Sequence, residues 1–315
     1  MKAKVNEVEF LEIIARSHTW PEVAKTIGVS IRNVMYRRVA IERRNGVKIA
    51  PGQKPVRTDF HTEALKIELP DEADIVLFGD AHVWPHQYET PAFQALLKVI
   101  RVLRPRIIID MGDSFDGATV SRFPRRGWEH PPSLKEELEA NLDFHTQITK
   151  AATAGCQMVW IPGNHCMRMA NRLANAVPEF HGMPSTDLPE MFPGWRFANS
   201  VVINETLACK HRYRQGIHAV YNNTLHAGVS IATGHLHRLI VRPIHDYRGL
   251  RYGIETGTLA NIYGPQFGYT EDNPVDWCHG FVVVHVEGQT IWPEPIYVSE
   301  NAFRFRGKTY IPGEK

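Results

Sequence analysis

A chain of 315 residues can bury a sizeable core and hold one large domain or two of unequal size. Its 43% apolar and 22% charged residues are the balance of a soluble globular protein. No window carries the ~18 uninterrupted apolar residues of a membrane span, so the chain reads as one without a membrane partner. The opening stretch MKAKVNEVEFLEII lacks the apolar core and cleavage site of a signal peptide. Cys156, Cys166, Cys209 and Cys278 show no CxxC spacing, so neither a disulfide framework nor a structural zinc site is indicated. The expected setting is cytoplasmic, with reduced thiols. The net charge of +2 conceals an asymmetry, because residues 1–60 hold 12 Lys/Arg against 6 Asp/Glu and the remainder is mildly acidic. A basic head on an acidic body suggests that the head meets an anionic partner.

The head, residues 1–46, reads as three helices. VEFLEIIARS places Val8, Leu11, Ile14 and Ala15 on one face at helical spacing. Thr19 can cap a second helix, with Pro21 in its first turn and Gly28 at its end. Ser30 can cap a third, IRNVMYRRVAIERR, which Asn45-Gly46 stops. Residues 47–63 have turn residues and no sustained periodicity, so they read as a linker. From residue 64 the pattern becomes alternating strands and helices. The strands are ADIVLFGD, PRIIIDMGD and QMVWIPGNH. One helix carries Phe93, Leu96, Leu97 and Ile100 on one side; another, capped by Ser133, aligns Leu134, Leu138 and Leu142. Such alternation, with fully apolar runs, indicates a parallel sheet covered by helices. Beyond residue 195 three stretches read as hairpins, and 301–315 reads as a surface tail after a second domain of 64–300.

The chemistry gathers at the strand ends. IVLFGDAH leaves Asp80 and His82, IIIDMGD leaves Asp113, MVWIPGNH leaves Asn164 and His165, TLACKH leaves His211, and VSIATGHLH leaves His235 and His237. Glycine precedes the polar group in several of these, which lets the backbone turn and bring ligands together. Where the chain stays extended, residues i and i+2 point the same way, so each Asp/His or His/His pair can converge. Carboxyl ends of strands are where open α/β sheets gather ligands. Ordinary turn chemistry would account for any one of these residues, but not for seven ligand-competent groups at five strand ends. Imidazole, carboxylate and amide oxygen without thiolate suit Mn, Fe, Zn, Ni or Co. The donors are too many for one open-sited ion, which points to two divalent metals with Asp113 as the bridge.

In order along the chain, Asp-x-His (80, 82), Gly-Asp-x-x-Asp (112–116), Gly-Asn-His (163–165), a lone His after a strand (211) and Gly-His-x-His (234–237) resemble the calcineurin-like metallophosphoesterase family over roughly residues 72–262. The resemblance implies an α/β fold, a layered β-sandwich flanked by helices (αββα). It assigns Asp80, His82, Asp113 and His237 to one metal and Asp113, Asn164, His211 and His235 to the other. Manganese is the expected ion. His165 would be the catalytic residue, protonating the leaving oxygen while a hydroxide bridging the metals attacks a phosphoester substrate. Two features depart from the family pattern. Cys166 stands where an acidic residue usually follows Gly-Asn-His, so either Asp116 or Asp80 orients His165 or this imidazole acts closer to neutral. His211 precedes Arg212 rather than glycine, which leaves His226 as a rival ligand.

Arg122, Arg125, Arg126 and Arg168 follow the metal motifs closely and could bind the substrate's other phosphates, or lie on solvated faces; His218 lies just past His211. In the head, WPEVAKTIGVSIRNVMYRR resembles a helix-turn-helix, with Ala24, Val29 and Val34 packing inward. Arg32, Asn33, Arg37 and Arg38 would then lie on the outer face of the third helix, within reach of nucleic acid. The same helices could instead serve homo-oligomerisation. The preferred function is a nuclease or end-processing phosphatase. The competing functions are a phosphoesterase for small nucleotides or cyclic nucleotides, and a DNA-binding regulator without catalysis.

Overall fold

The computed structural model describes residues 5–17, 19–45, 47–49, 51, 56–57, 64–70, 72–124, 127–183 and 186–314. The chain divides into two compact units, Met1–Glu63 and Ala64–Lys315. The first contains α1 (Glu7–Arg16), α2 (Trp20–Ile27), α3 (Ile31–Asn45) and two short antiparallel strands, β1 (Val47–Lys48) and β2 (Val56–Arg57). Caps set the helix starts: the side chains of Asn6, Thr19 and Ser30 accept the N–H groups of Glu9, Glu22 and Asn33. Gly28 ends α2 at φ 75°, a conformation that costs a residue without Cβ little.

Phe10, Ile14, Val23, Ala24, Val34, Ile41 and Ile49 form the core of this unit. Phe10 takes the place expected of Val8, which is 67% exposed. Val29 also faces outward, because its N–H and that of Gly28 both close on the Ala24 carbonyl and swing the turn away from the core. Arg37 and Arg38 are not on a free outer face. Arg37 donates to the Val5 carbonyl (2.7 Å) and lies over Phe10, while Arg38 lies over Trp20 and pairs with Glu42. Arg32 and Asn33 are exposed. The stretch read as a linker contributes to the unit: Ile49 is buried and its N–H donates to Glu42.

The second unit contains β3 (Leu65–Ile67), β4 (Glu72–Phe78), α4 (Pro91–Leu103), β5 (Ile107–Asp110), α5 (Leu134–Ala151), β6 (Gln157–Trp160), α6 (Arg168–Ala176), α7 (Leu188–Met191) and β7 (Arg196–Phe197). It continues with β8 (Val201–Ile203), β9 (Leu207–Lys210), α8 (Ala219–Ala227), β10 (Ser230–Thr233), β11 (Leu239–Asp246), β12 (Gly249–Thr256), β13 (Gly280–Glu287), β14 (Thr290–Tyr297), β15 (Phe303–Phe305) and β16 (Lys308–Tyr310). Two six-stranded sheets result, in the orders β14-β13-β4-β5-β6-β7 and β11-β12-β10-β9-β8-β3. Strands β4, β5 and β6 run parallel, as the alternation predicts, and β8–β9, β11–β12 and β13–β14 are the three hairpins.

The apolar runs follow from burial on both faces. Ile75, Leu77, Ile107 and Ile109 pack between the sheets with Val201, Cys209, Ala232 and Ile254. Their alternates Val76, Phe78 and Ile108 pack under Phe93, Leu96, Ile100, Phe144 and Ile148 of the covering helices. Helix α5 begins with a complete capping box from Ser133 and Glu136. Its buried face runs through Glu137, Asn141, Phe144, His145 and Ile148, so Leu142, expected inside, is exposed.

The C-terminal segment is not a surface tail. Strands β15 and β16 pair, and Phe303 and Phe305 are each 2% exposed within the helix-side core. Phe305→Ala should therefore cost about 3–5 kcal/mol of unfolding free energy in chemical denaturation. A loss near zero would return this segment to the surface.

Candidate metal centre

Both sheets deliver side chains to one rim. Asp80 and His82 follow β4, Asp113 follows β5, and Asn164 and His165 follow β6; from the other sheet His211 follows β9, and His235 and His237 follow β10. The pairs do not converge by strand alternation. Asp80, His82, Asp113, His235 and His237 all adopt left-handed backbone, with φ of 51°, 37°, 56°, 75° and 59°. Each such residue costs about 1–3 kcal/mol and persists only where its surroundings fix it. Here a ladder fixes it: Asp80, His82 and Val83 donate N–H bonds of 2.8–2.9 Å to the carbonyls of Gly112, Asp113 and Ser114.

Ligand-competent atoms of Asp80, His82 and His237 lie within 4.8 Å of one another, and so do those of Asp113, His211 and His235. His82 also groups with Asp113 and His165, which joins the two clusters through Asp113. His211 Nε2 is 3.0 Å from Asp113 Oδ2, and His237 Nε2 is 3.4 Å from Asp80 Oδ1 and 3.2 Å from His82 Nε2. Asp80 Oδ1, Asn164 Oδ1 and His211 Nε2 are buried with no hydrogen-bond partner among the described residues. For Asp80 Oδ1 and His211 Nε2, close approach without hydrogen-bonding geometry fits donors aimed at a common cation, since two ligands ~2.1 Å from one ion in adjacent positions stand ~3.0 Å apart. The donors could therefore hold metal on either side of Asp113.

Their other atoms are tied to the scaffold, which fixes ring orientation. His211 Nδ1 donates to the Met111 carbonyl (2.7 Å), Asp80 Oδ2 accepts the His235 N–H (2.8 Å), and Asp113 Oδ1 accepts the His165 N–H (2.8 Å). Gln215 Nε2 contacts His235 Nε2 at 2.9 Å, a partner the sequence did not flag. Burial opposes the charged form of Asp113, but His211 outweighs it and holds this carboxyl well below the usual carboxylate range. Burial likewise works against His211, yet the carboxylates of Asp113 and Asp80 raise its imidazole to about 9. Burial and the neighbouring His211 drop His235 to about 4. His226 is exposed on α8 and His211 is buried at Asp113, so His211 is the one that meets the cluster.

Asp116 organises the neighbouring histidines. Its Oδ1 accepts from Nδ1 of both His165 and His82 at 2.7 Å, and Arg168 Nη1 binds its carbonyl and Oδ2 at 2.9 and 3.2 Å. Burial disfavours its charge, but the bonds from His165 and His82 keep the carboxyl well below its ordinary value. Cys166 is 1% exposed and burial pushes its thiol up, so it packs rather than orients His165. Arg168 Nη2 also reaches His165 Nε2 (3.2 Å), so this arginine is engaged at the site rather than free on a helix face. Arg122 is exposed and lies over Phe123, and His218 is exposed at the start of α8, outside the residues lining the cleft. Arg125 and Arg126 lie outside the described residues.

The scaffold beneath holds two residues that sequence reasoning passed over. His145 Nε2 donates to Asp110 Oδ2 (3.1 Å), while Asp110 Oδ1 accepts the Gly112 N–H (2.8 Å). Glu137 is fully buried, and its carboxyl accepts the N–H groups of Gly117 and Ala118, which anchors the loop that carries Asp116. Only their place on the same helix face as Phe144 and Ile148 could have marked them.

Two structural features define the class: a paired-sheet α/β sandwich, and a rim of carboxylate and imidazole donors able to hold divalent metal. Residues 73–250, over half the chain, match the calcineurin-like phosphoesterase family, and the protein belongs to that family. It is thus a hydrolase acting on phosphoester bonds. It is 26% identical over 247 residues to the Gene 54 protein of Mycobacterium phage L5, covering 69% of this chain and 91% of that protein. The Gene 54 protein of Mycobacterium phage D29 is 25% identical over 247 residues, with the same coverage of 69% and 91%. Among solved structures, vacuolar protein sorting 29 from Cryptosporidium parvum aligns with a TM-score of 0.40 at 12% identity, covering 76% of this chain and 95% of that one. The Pseudomonas putida nuclease MPE aligns with a TM-score of 0.30 at 15% identity, covering 70% and 87%.

Two expectations follow from this geometry. A Cβ at Gly163 would sit 2.1 Å from Asp113 Oδ1 and 2.7 Å from His211 Cε1. Gly163→Ala should therefore abolish metal uptake, measured by elemental analysis; full loading would contradict the packing described. Burial, with the charge of Asp116, pushes Glu137 up to about 8 from 4.5. A carboxyl raised in the fold stabilises most below its unfolded value and loses that contribution as pH climbs through the folded one. Glu137→Gln should flatten the decline of unfolding free energy between about pH 5 and about pH 8, and an unchanged slope would contradict it.

Proposed function

We propose that the protein hydrolyses phosphodiesters in nucleic acid with two divalent cations held on either side of Asp113. The observation that carries the dinuclear reading is the position of Asp113, which shares one cluster with His211 and His235 and another with His82 and His165. Asp80, His82, Asp113 and His237 take one ion; Asp113, Asn164, His211 and His235 take the other. Oxygen and nitrogen donors without thiolate favour manganese, with iron, zinc, nickel or cobalt as ions that the same donors accept. When bound, such a pair supplies electrostatic stabilisation of the phosphoryl oxygens and makes water acidic enough to attack near neutral pH.

The protein's own contribution is to position and to move a proton. Asp116 accepts from His165 Nδ1 and fixes the ring, while Nε2 accepts from Arg168; Nε2 would serve the departing oxygen once Arg168 turns from it to the substrate. Arg168 holds Asp116 from behind and places positive charge beside Nε2, where negative charge develops as the ester breaks. The substrate class rests on the head, whose 12 Lys/Arg against 6 Asp/Glu in residues 1–60 favour a polyanion. Helices α2 and α3, joined at Gly28, serve as a helix-turn-helix, and of the four contact residues read from sequence Arg32 and Asn33 are the exposed pair. The four cysteines are all free thiols, which supports a cytoplasmic home.

Asp113→Ala should lose both metals by elemental analysis and all hydrolysis of bis(p-nitrophenyl) phosphate. His165→Ala should keep its metal and turn over about 100- to 10,000-fold more slowly; full rate would remove His165 from the reaction. The paired change of Arg32 and Asn33 to alanine should weaken DNA binding and cleavage in a salt-dependent way while leaving the aryl diester rate unchanged. Intact DNA beside rapid hydrolysis of cyclic nucleotides would turn the reading to small molecules.

A further inference from the structure

A cavity of about 620 Å³ opens beside His165 and away from the metal donors. Loops far apart in sequence build it: Trp84 follows β4, Phe123 follows β5, and Gln266 and Tyr269 follow β12. His165 and Arg168 complete it on the catalytic side. His165 and Tyr269 also line the cleft over the metal donors, so they form the wall that the two spaces share. Phe123 and Tyr269 are large aromatic side chains left 63% and 58% exposed. Isolated exposed aromatics are ordinary, but aromatics from three loops lining one cavity next to a catalytic imidazole are not.

We propose that this cavity is the subsite for a nucleobase carried by the group on the His165 side of the scissile phosphate, with Phe123 and Tyr269 as its stacking platform. The inference rests on the phosphoesterase reading of His165 and is independent of the basic head. Two observations select this occupant. Aromatic faces take any base by stacking. The charged groups of the lining are already matched, Asp116 pairing with Arg168 and His165 while Glu129 adds a further carboxylate, so no guanidinium among the described lining residues is left over for a second phosphate and an uncharged ring is favoured. The guanidinium of Arg122, 5.2 Å from the Phe123 ring centroid, braces that platform.

The test is calorimetric binding of adenosine 5′-monophosphate and ribose 5-phosphate to the full-length protein, compared with a Phe123→Ala/Tyr269→Ala variant. Both positions are exposed and neither belongs to the metal or proton-transfer groups. The wild type should bind the nucleotide about tenfold or more tighter than the sugar phosphate. The variant should lose that preference while its affinity for ribose 5-phosphate stays the same. Equal wild-type affinities, or an equal loss for both ligands, would overturn the proposal, as would tighter binding of phosphotyrosine than of the nucleotide. A nucleotide preference that persists in a protein unable to cut DNA would leave the subsite standing and remove only the polymeric substrate.

Discussion

Two buried carboxylates, Asp80 and Asp113, sit among imidazoles on one rim of the sandwich with ligand atoms facing each other at 3.0–3.4 Å. Burying charge without a partner is costly, and an interior aspartate normally finds hydrogen-bond donors for both oxygens. Here one oxygen of each is tied to a backbone N–H, and the other turns toward histidines that do not meet it as donors. Divalent cations would resolve that arrangement. The left-handed backbone at five of these residues points the same way, because strain of this kind is kept where a site demands it.

The site also depends on the fold in a particular sense. Asp80, Asp113, Asn164 and His165 come from the sheet containing β4, β5 and β6, whereas His211, His235 and His237 come from the sheet containing β9 and β10. Neither sheet carries a complete set. The shared apolar layer of Ile75, Leu77, Ile109, Cys209 and Ala232 holds the two rims in register, and bound cations would tie them further. Metal binding at this rim would thus be coupled to packing of the sandwich, as it is wherever a ligand binds only the folded state.

Much of this was legible from residues alone. The order of Asp80, His82, Asp113, Asn164, His165, His211, His235 and His237 at strand exits carried the site, and the apolar runs carried the parallel core. The route to convergence was not legible, since alternation along a strand was expected and left-handed turns at Asp80, His82, His235 and His237 do the work. Periodicity misplaced Val8 and Leu142 because several registers of an amphipathic helix fit the same pattern, and tertiary packing chose Phe10 and Phe144. Arginines 37 and 38 looked available because charge in a sequence says nothing of cation–π contacts with Phe10 and Trp20. Asp116 was one of two acids able to replace the usual neighbour of His165, and distance decided between them. The aromatic cavity was invisible, because Trp84, Phe123 and Tyr269 belong to loops that only the fold brings together.

The most direct measurement is anomalous diffraction from crystals of the manganese-loaded protein. The account predicts two peaks about 3.5–4 Å apart with Asp113 between them. A single peak, or peaks remote from Asp113, would contradict it.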